Sequence, residues 1–146
     1  MIIPIASDHA GYKLKEQVKA FLQARGQETL DYGCPDEQSV DYPDYAALVA
    51  AGVGAGKYER GILICGTGIG MSIAANKFPG VRAALCHSVF TAQCAREHNN
   101  ANILALGARV LSAPEALEMV RVWLETPFAG ARHAQRLEKI SRLEKS

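Results

Sequence analysis

The residues best suited to chemistry stand at the ends of short apolar runs. Cys65 closes Gly61-Ile62-Leu63-Ile64 and opens Gly66-Thr67-Gly68-Ile69-Gly70. Alternating glycines at the start of a helix let backbone N–H groups converge on one point. Such a nest holds an anion, either a phosphate or an oxyanion that develops during reaction. A cysteine at a helix N-terminus is favoured as thiolate, the form that acts as base or nucleophile. A lone cysteine at a strand end is otherwise a small buried hydrophobe. No packing requirement, however, asks for Gly-Thr-Gly-Ile-Gly after it.

Other candidates are placed less sharply. Asp8-His9 follows the apolar run Ile2–Ala6. Asp8 suits acid–base work, and it equally suits capping of the next helix. His98 can shuttle protons or complement the end of a helix. Arg132, Arg136 and Lys139 share one helical stripe. A solvated basic face is the ordinary reason for such a stripe, but Arg132 falls in a first helical turn, where positive charge is disfavoured unless an anion is bound nearby. Cys34, Cys86, Cys94 and His87 are read as structural.

Several chemistries are excluded. The glycine run fails the dinucleotide fingerprint: Met71 stands where the third glycine belongs, the motif follows the third strand, and no acidic residue comes about 20 positions later. No Lys-Ser or Lys-Thr follows, so it is not a P-loop. Cys94 and His98 alone make no zinc cluster. The 16 basic and 15 acidic side chains leave a net charge of +1, with no general pull toward nucleic acid or membrane. No apolar run approaches the roughly 18 residues that span a bilayer. With no signal-like N-terminus, the chain is expected to be cytoplasmic, with free thiols.

These residues need elements to position them. The 146 residues, 49% hydrophobic, suit one domain over 1–146. Strands are predicted at Ile2–Ala6, Glu28–Tyr32, Gly61–Cys65, Val81–Cys86 and Ile103–Leu106. Between them the 3.6-residue period predicts helices over Ala10–Arg25, from Pro43 toward Gly52–Gly56, over Gly70–Lys77 and over Val89–His98. A further helix opens with a capping box at Ser112-Ala113-Pro114-Glu115 and stops at Pro127. A last one covers about 131–144. Strands alternating with helices imply a parallel sheet covered on both faces. Pro4 requires either that one ladder start after it or that its N–H side go unpaired. In such sheets ligands bind beyond the carboxyl ends of the strands. Asp8-His9, Cys65–Gly70 and Gly107-Ala108-Arg109 are therefore expected there, and His98-Asn99, next to the last strand, is grouped with them.

Taken together, Ser-Asp-His-Ala-Gly at 7–11, Asp-Tyr-Pro at 41–43, Ile-Cys-Gly-Thr-Gly-Ile-Gly-Met-Ser at 64–72, Ala-Asn-Lys at 75–77, His-Asn at 98–99, Gly-Ala-Arg-Val at 107–110 and Gly-Ala-Arg-His-Ala-Gln-Arg at 130–136 resemble the type B ribose-5-phosphate isomerase family. The resemblance runs the length of the chain. It implies an α/β fold, a three-layer α/β/α Rossmann-like domain with a five-stranded parallel sheet. It also implies a homodimer with shared active sites, with a dimer of dimers left open, in which the C-terminal helix contributes to the dimer and the anion site.

The implied reaction interconverts ribose 5-phosphate and ribulose 5-phosphate without metal or organic cofactor. By position, Cys65 matches the base and His98 the proton donor that opens the ring. Thr67 and the loop Gly66, Gly68, Ile69 and Gly70 match the segment that holds the enediolate. Asp8, His9, Tyr42 and Asn99 match substrate contacts; Arg109, Arg132 and Arg136 match anion-binding positions. Members that use a glutamate base lack this cysteine, so the cysteine branch fits. The arginines would hold the phosphate, whose charge is constant, and leave the loop for the charge that develops. Two alternatives remain: a hexose 6-phosphate isomerase, and a non-catalytic sugar-phosphate binding module.

Overall fold

The computed structural model describes residues 1–145. Its elements are β1 (Ile2–Ser7), α1 (Tyr12–Ala24), β2 (Glu28–Asp31), α2 (Tyr42–Gly54), β3 (Gly61–Cys65), α3 (Ile69–Ala75), β4 (Ala83–Leu85), α4 (Val89–Glu97), β5 (Ile103–Gly107), α5 (Ala113–Glu125) and α6 (Arg132–Leu143). The five strands form one parallel sheet in the order β2-β1-β3-β5-β4. This is the three-layer arrangement expected from the sequence.

Side chains of a strand alternate between faces. Ile62 and Ile64 of β3 join Ile3, Ile5, Leu104 and Leu106 against α1, α4 and α5, with Trp123 fully buried in that layer. Leu63 and Cys65 point the other way, with Ala6, Ile103 and Ala105, against α2 and α3. The thiol therefore faces the layer that carries Tyr42 and the glycine loop. The chain order turns around between β1 and β3, which puts the crevice of the fold between the ends of those two strands.

Proline in a central strand is accommodated as the sequence required. The β1–β3 ladder begins at Ile5↔Ile62, after Pro4, and Pro4 is paired only toward β2. Ser112 caps α5 by accepting the Glu115 N–H, and Gly26 ends the α1 region with positive φ. The reciprocal capping box lies instead at Ser88 and Thr91, which open α4.

Other elements are shorter than the sequence suggested. Helix α1 starts at Tyr12, because Asp8 Oδ1 holds the Gly11 N–H at 3.0 Å in the turn before it. Asp8 thus shapes that turn and is not the helix N-cap. Strand β4 covers only Ala83–Leu85; the backbone of Ala83 exchanges two hydrogen bonds with the side chain of Asn76, beyond the end of α3.

Candidate active site

Cys65 ends β3 and is nearly buried, with its sulfur turned into the glycine loop. The Gly68 N–H donates to Sγ at 3.1 Å, and the Ile69 N–H donates to Thr67 Oγ1 at 3.2 Å. Two loop amides thus hold the sulfur and the hydroxyl in place. Gly68 has φ +82, and a Cβ there would lie 2.5 Å from Leu85 Cδ1 and 3.0 Å from the Leu106 carbonyl carbon. Only glycine fits that turn. A Cβ on Gly70 would lie 2.5 Å from the Tyr42 ring, so Tyr42 packs directly on the first turn of α3.

A cavity of about 400 Å³ opens here, lined by Asp8, Tyr42, Cys65, Gly66, Thr67, Ile69, Gly70, Ile73 and Arg109. Asp8 reaches it from the end of β1, where its own N–H donates to Ile64 O. Arg109 reaches it from the loop after β5, which is tied down by the Arg109 N–H donating to Gly66 O at 2.9 Å. Carboxylate, thiol, hydroxyl and guanidinium thus converge, as the sequence anticipated. Ile73 was not anticipated. With Ile69, at i and i+4, it forms an exposed apolar rim, 58% and 48% accessible. That spacing was the readable signal.

His9 lies outside this wall. Its Nδ1 accepts the Val40 N–H at 3.2 Å and pins the loop before α2. The proton of the neutral ring then belongs on Nε2.

The remaining candidates are elsewhere. His98 caps the C-terminus of α4. A helix following a parallel strand runs back across the sheet, so this end lies toward the amino-terminal edge. There Asn102 Oδ1 accepts the N–H of Arg82, just before β4, at 2.7 Å. Grouping His98 and Asn99 with the carboxyl-end residues is therefore incorrect within one chain: neither lines the Cys65 cavity. Arg132 and Arg136, in the first half of α6, also lie outside it.

These outlying residues form a second cluster. The His98 and His133 rings stack at 4.5 Å with 14° between planes. Desolvation first, and then the charges of His98, Arg132 and Arg136, lower the pKa of His133. His133 belongs to the run Gly-Ala-Arg-His-Ala-Gln-Arg at 130–136, where the sequence alone points to the arginines and not to this histidine. The helix that carries it is tethered at both ends: Ala129 N–H donates to Glu97 O, and Gly80 N–H donates to the Glu144 carboxylate. Helix α6 nevertheless buries no residue.

Cys86 behaves as the structural thiol expected, since burial pushes it up to about 11. Among the described residues no three potential ligands gather for a metal, and no helix is long and apolar enough to cross a membrane.

Comparison with known proteins agrees with this geometry. A ribose/galactose isomerase family model matches residues 3–140. Ribose-5-phosphate isomerase B of Escherichia coli K12 is 46% identical over 142 residues, 97% of this chain and 95% of that one. The Clostridium thermocellum ribose-5-phosphate isomerase B structure superposes with a TM-score of 0.97 at 53% identity, covering 99% of this chain and 98% of that one. The Mycoplasma genitalium enzyme, solved with bound ribulose-5-phosphate, gives 0.96 at 44% identity, covering 99% and 97%. With the family model matched over nearly the whole chain and relatives at about half identity covered from end to end, this protein belongs to the ribose/galactose isomerase family, in its type B ribose-5-phosphate isomerase branch.

Proposed function

We propose that the protein interconverts D-ribose 5-phosphate and D-ribulose 5-phosphate, with Cys65 as the base. The observation that carries this reading is the Cys65 sulfur, held by the Gly68 N–H at the floor of a cavity that also presents Asp8, Thr67 and Arg109. The ribulose-5-phosphate bound to the Mycoplasma genitalium relative supports the substrate.

The furanose opens first, with His98 transferring the proton between the anomeric hydroxyl and the ring oxygen. The Cys65 thiolate then takes the C2 proton. The C2–H electron pair becomes the C1=C2 bond, and negative charge passes to O1. The loop amides and Thr67 hold that oxygen, where a donor aimed at developing charge is worth about 3 kcal/mol. A proton moves from O2 to O1, and the thiol returns its proton to C1. This leaves the C2 ketone and regenerates the thiolate. The Gly68 N–H is in place to hold the sulfur whenever it carries charge. No step calls for a metal or an organic cofactor.

His98, Arg132 and Arg136 stand outside the Cys65 cavity of their own chain. We therefore read the working form as a homodimer in which one subunit's α6 and His98 complete the site of the other. The exposed Ile69–Ile73 rim and the unburied α6 support a covering partner.

The test is turnover of ribose 5-phosphate by wild type and Cys65→Ala, with and without a chelator. The variant should lose about 10²–10⁴-fold in kcat, and the chelator should change nothing. Retained turnover would remove Cys65 as base, and a higher kcat/KM on a hexose 6-phosphate would move the substrate.

A further inference from the structure

The imidazole of His98 has little to hold it. Its nearest carboxylate, Glu97, is 4.0 Å from Nε2, too far for a hydrogen bond. Among the described residues its ring makes no side-chain hydrogen bond. A group that must meet a ring oxygen and a hydroxyl cannot be left to rotate, because misplacement by about 1 Å costs on the order of 10²-fold in rate. The parallel face of His133 lies against the ring, 4.5 Å away.

That contact is built with effort. The chain turns at Gly130 and Ala131, both with positive φ, +69 and +52. For the non-glycine Ala131 this is a strained conformation. The turn is anchored by Ala129 N–H on Glu97 O and by His133 N–H on Gly130 O, each 3.0 Å. Its result is that the first turn of α6 lies over the end of α4, ring on ring.

We propose that His133 is a positioning residue for His98, clamping its ring by stacking so that the imidazole meets the furanose in one orientation. This rests on the reading of His98 as the ring opener. The groups facing His133 are His98 and Glu97 from α4, and Arg132 and Arg136 from its own helix. Desolvation, and then the positive charge around it, lower the pKa of His133 and favour its neutral ring beside a proton-carrying neighbour. Ring stacking adds roughly a two- to tenfold preference beyond burial, enough to select an orientation.

The experiment is a double-mutant cycle on the full-length enzyme, assayed with ribose 5-phosphate in both directions. His98→Ala should lower kcat by about 10²-fold. His133→Ala should lower it about tenfold, with the KM for ribulose 5-phosphate within about twofold, as orientation is lost and anchoring is kept. His133→Phe, which keeps a flat ring without a proton, should recover most of the rate. The double alanine variant should be no slower than His98→Ala alone. In proton spectra, the His98 ring resonances should lose their ring-current shift in His133→Ala and regain it in His133→Phe.

Additive losses, a KM rise matching the fall in kcat, or failure of His133→Phe to rescue would overturn the proposal while leaving His98 in its role. An unchanged rate for His98→Ala would instead overturn the ring-opening reading, and the positioning role with it.

Discussion

Two glycines in the loop after Cys65 face different neighbours, and the same substitution separates their roles. At Gly68 an added methyl meets Leu85 and the backbone of Leu106 in a conformation with φ +82. Backbone cannot step aside, so Gly68→Ala should cost at least about 1–2 kcal/mol and pull the N–H off Sγ, lowering both the unfolding midpoint and kcat. At Gly70 the methyl's nearest contacts are all with the side chain of Tyr42, which is 39% exposed, and a side chain yields more readily than backbone. Gly70→Ala should leave the midpoint nearly unchanged and raise KM. Calorimetry alongside steady-state kinetics checks both, and equal damage at the two sites would contradict the loop geometry. Much at this scale was readable beforehand: the thiol, the threonine and the spacing of the glycines announce a nest. That Gly68 donates to the sulfur was not readable, because it depends on which way each peptide faces.

At the scale of elements, the strands were legible because parallel strands buried on both faces read as unbroken apolar runs. Gly61–Cys65 and Ile103–Gly107 are buried throughout. The ends of α1 and β4 were less legible, since side chains bonding to nearby backbone set them, Asp8 on Gly11 and Asn76 on Ala83, and the hydrophobic period does not register such bonds. His98 was misplaced for a topological reason. Its neighbour in sequence is β5, but it sits at the amino-terminal start of that strand, whereas ligands gather at the other end. The 3.6-residue period marks helix α6, yet the helix buries none of its residues in its own chain. Removal of residues 131–146 should therefore leave a chain that still unfolds in one cooperative transition. It should sediment as a monomer and lose turnover. Loss of cooperative unfolding would show that α6 belongs to the core after all.

For the whole molecule, the question is whether two half-sites meet across a two-fold axis. In an isologous dimer every contribution is reciprocal. Cys65→Ala and His98→Ala, each nearly inactive alone, are then complementary. After mixing and subunit exchange, half the dimers are hybrids, and each hybrid holds one site with both groups intact. Activity should recover to about a quarter of wild type per chain. If both groups served one chain's own site, mixing would recover nothing.

The thiol and the imidazole stand at opposite margins of one sheet, one at the end of β3 and the other at the end of α4. Such separation leaves them free to diverge. If the proposed dimer shares its sites in this way, then after gene duplication one copy could lose Cys65 while its sister loses His98, and the pair would still assemble one working centre. Neither copy can then be discarded. Obligate two-gene assemblies can arise from this architecture by decay alone, with no new surface and no gain in rate.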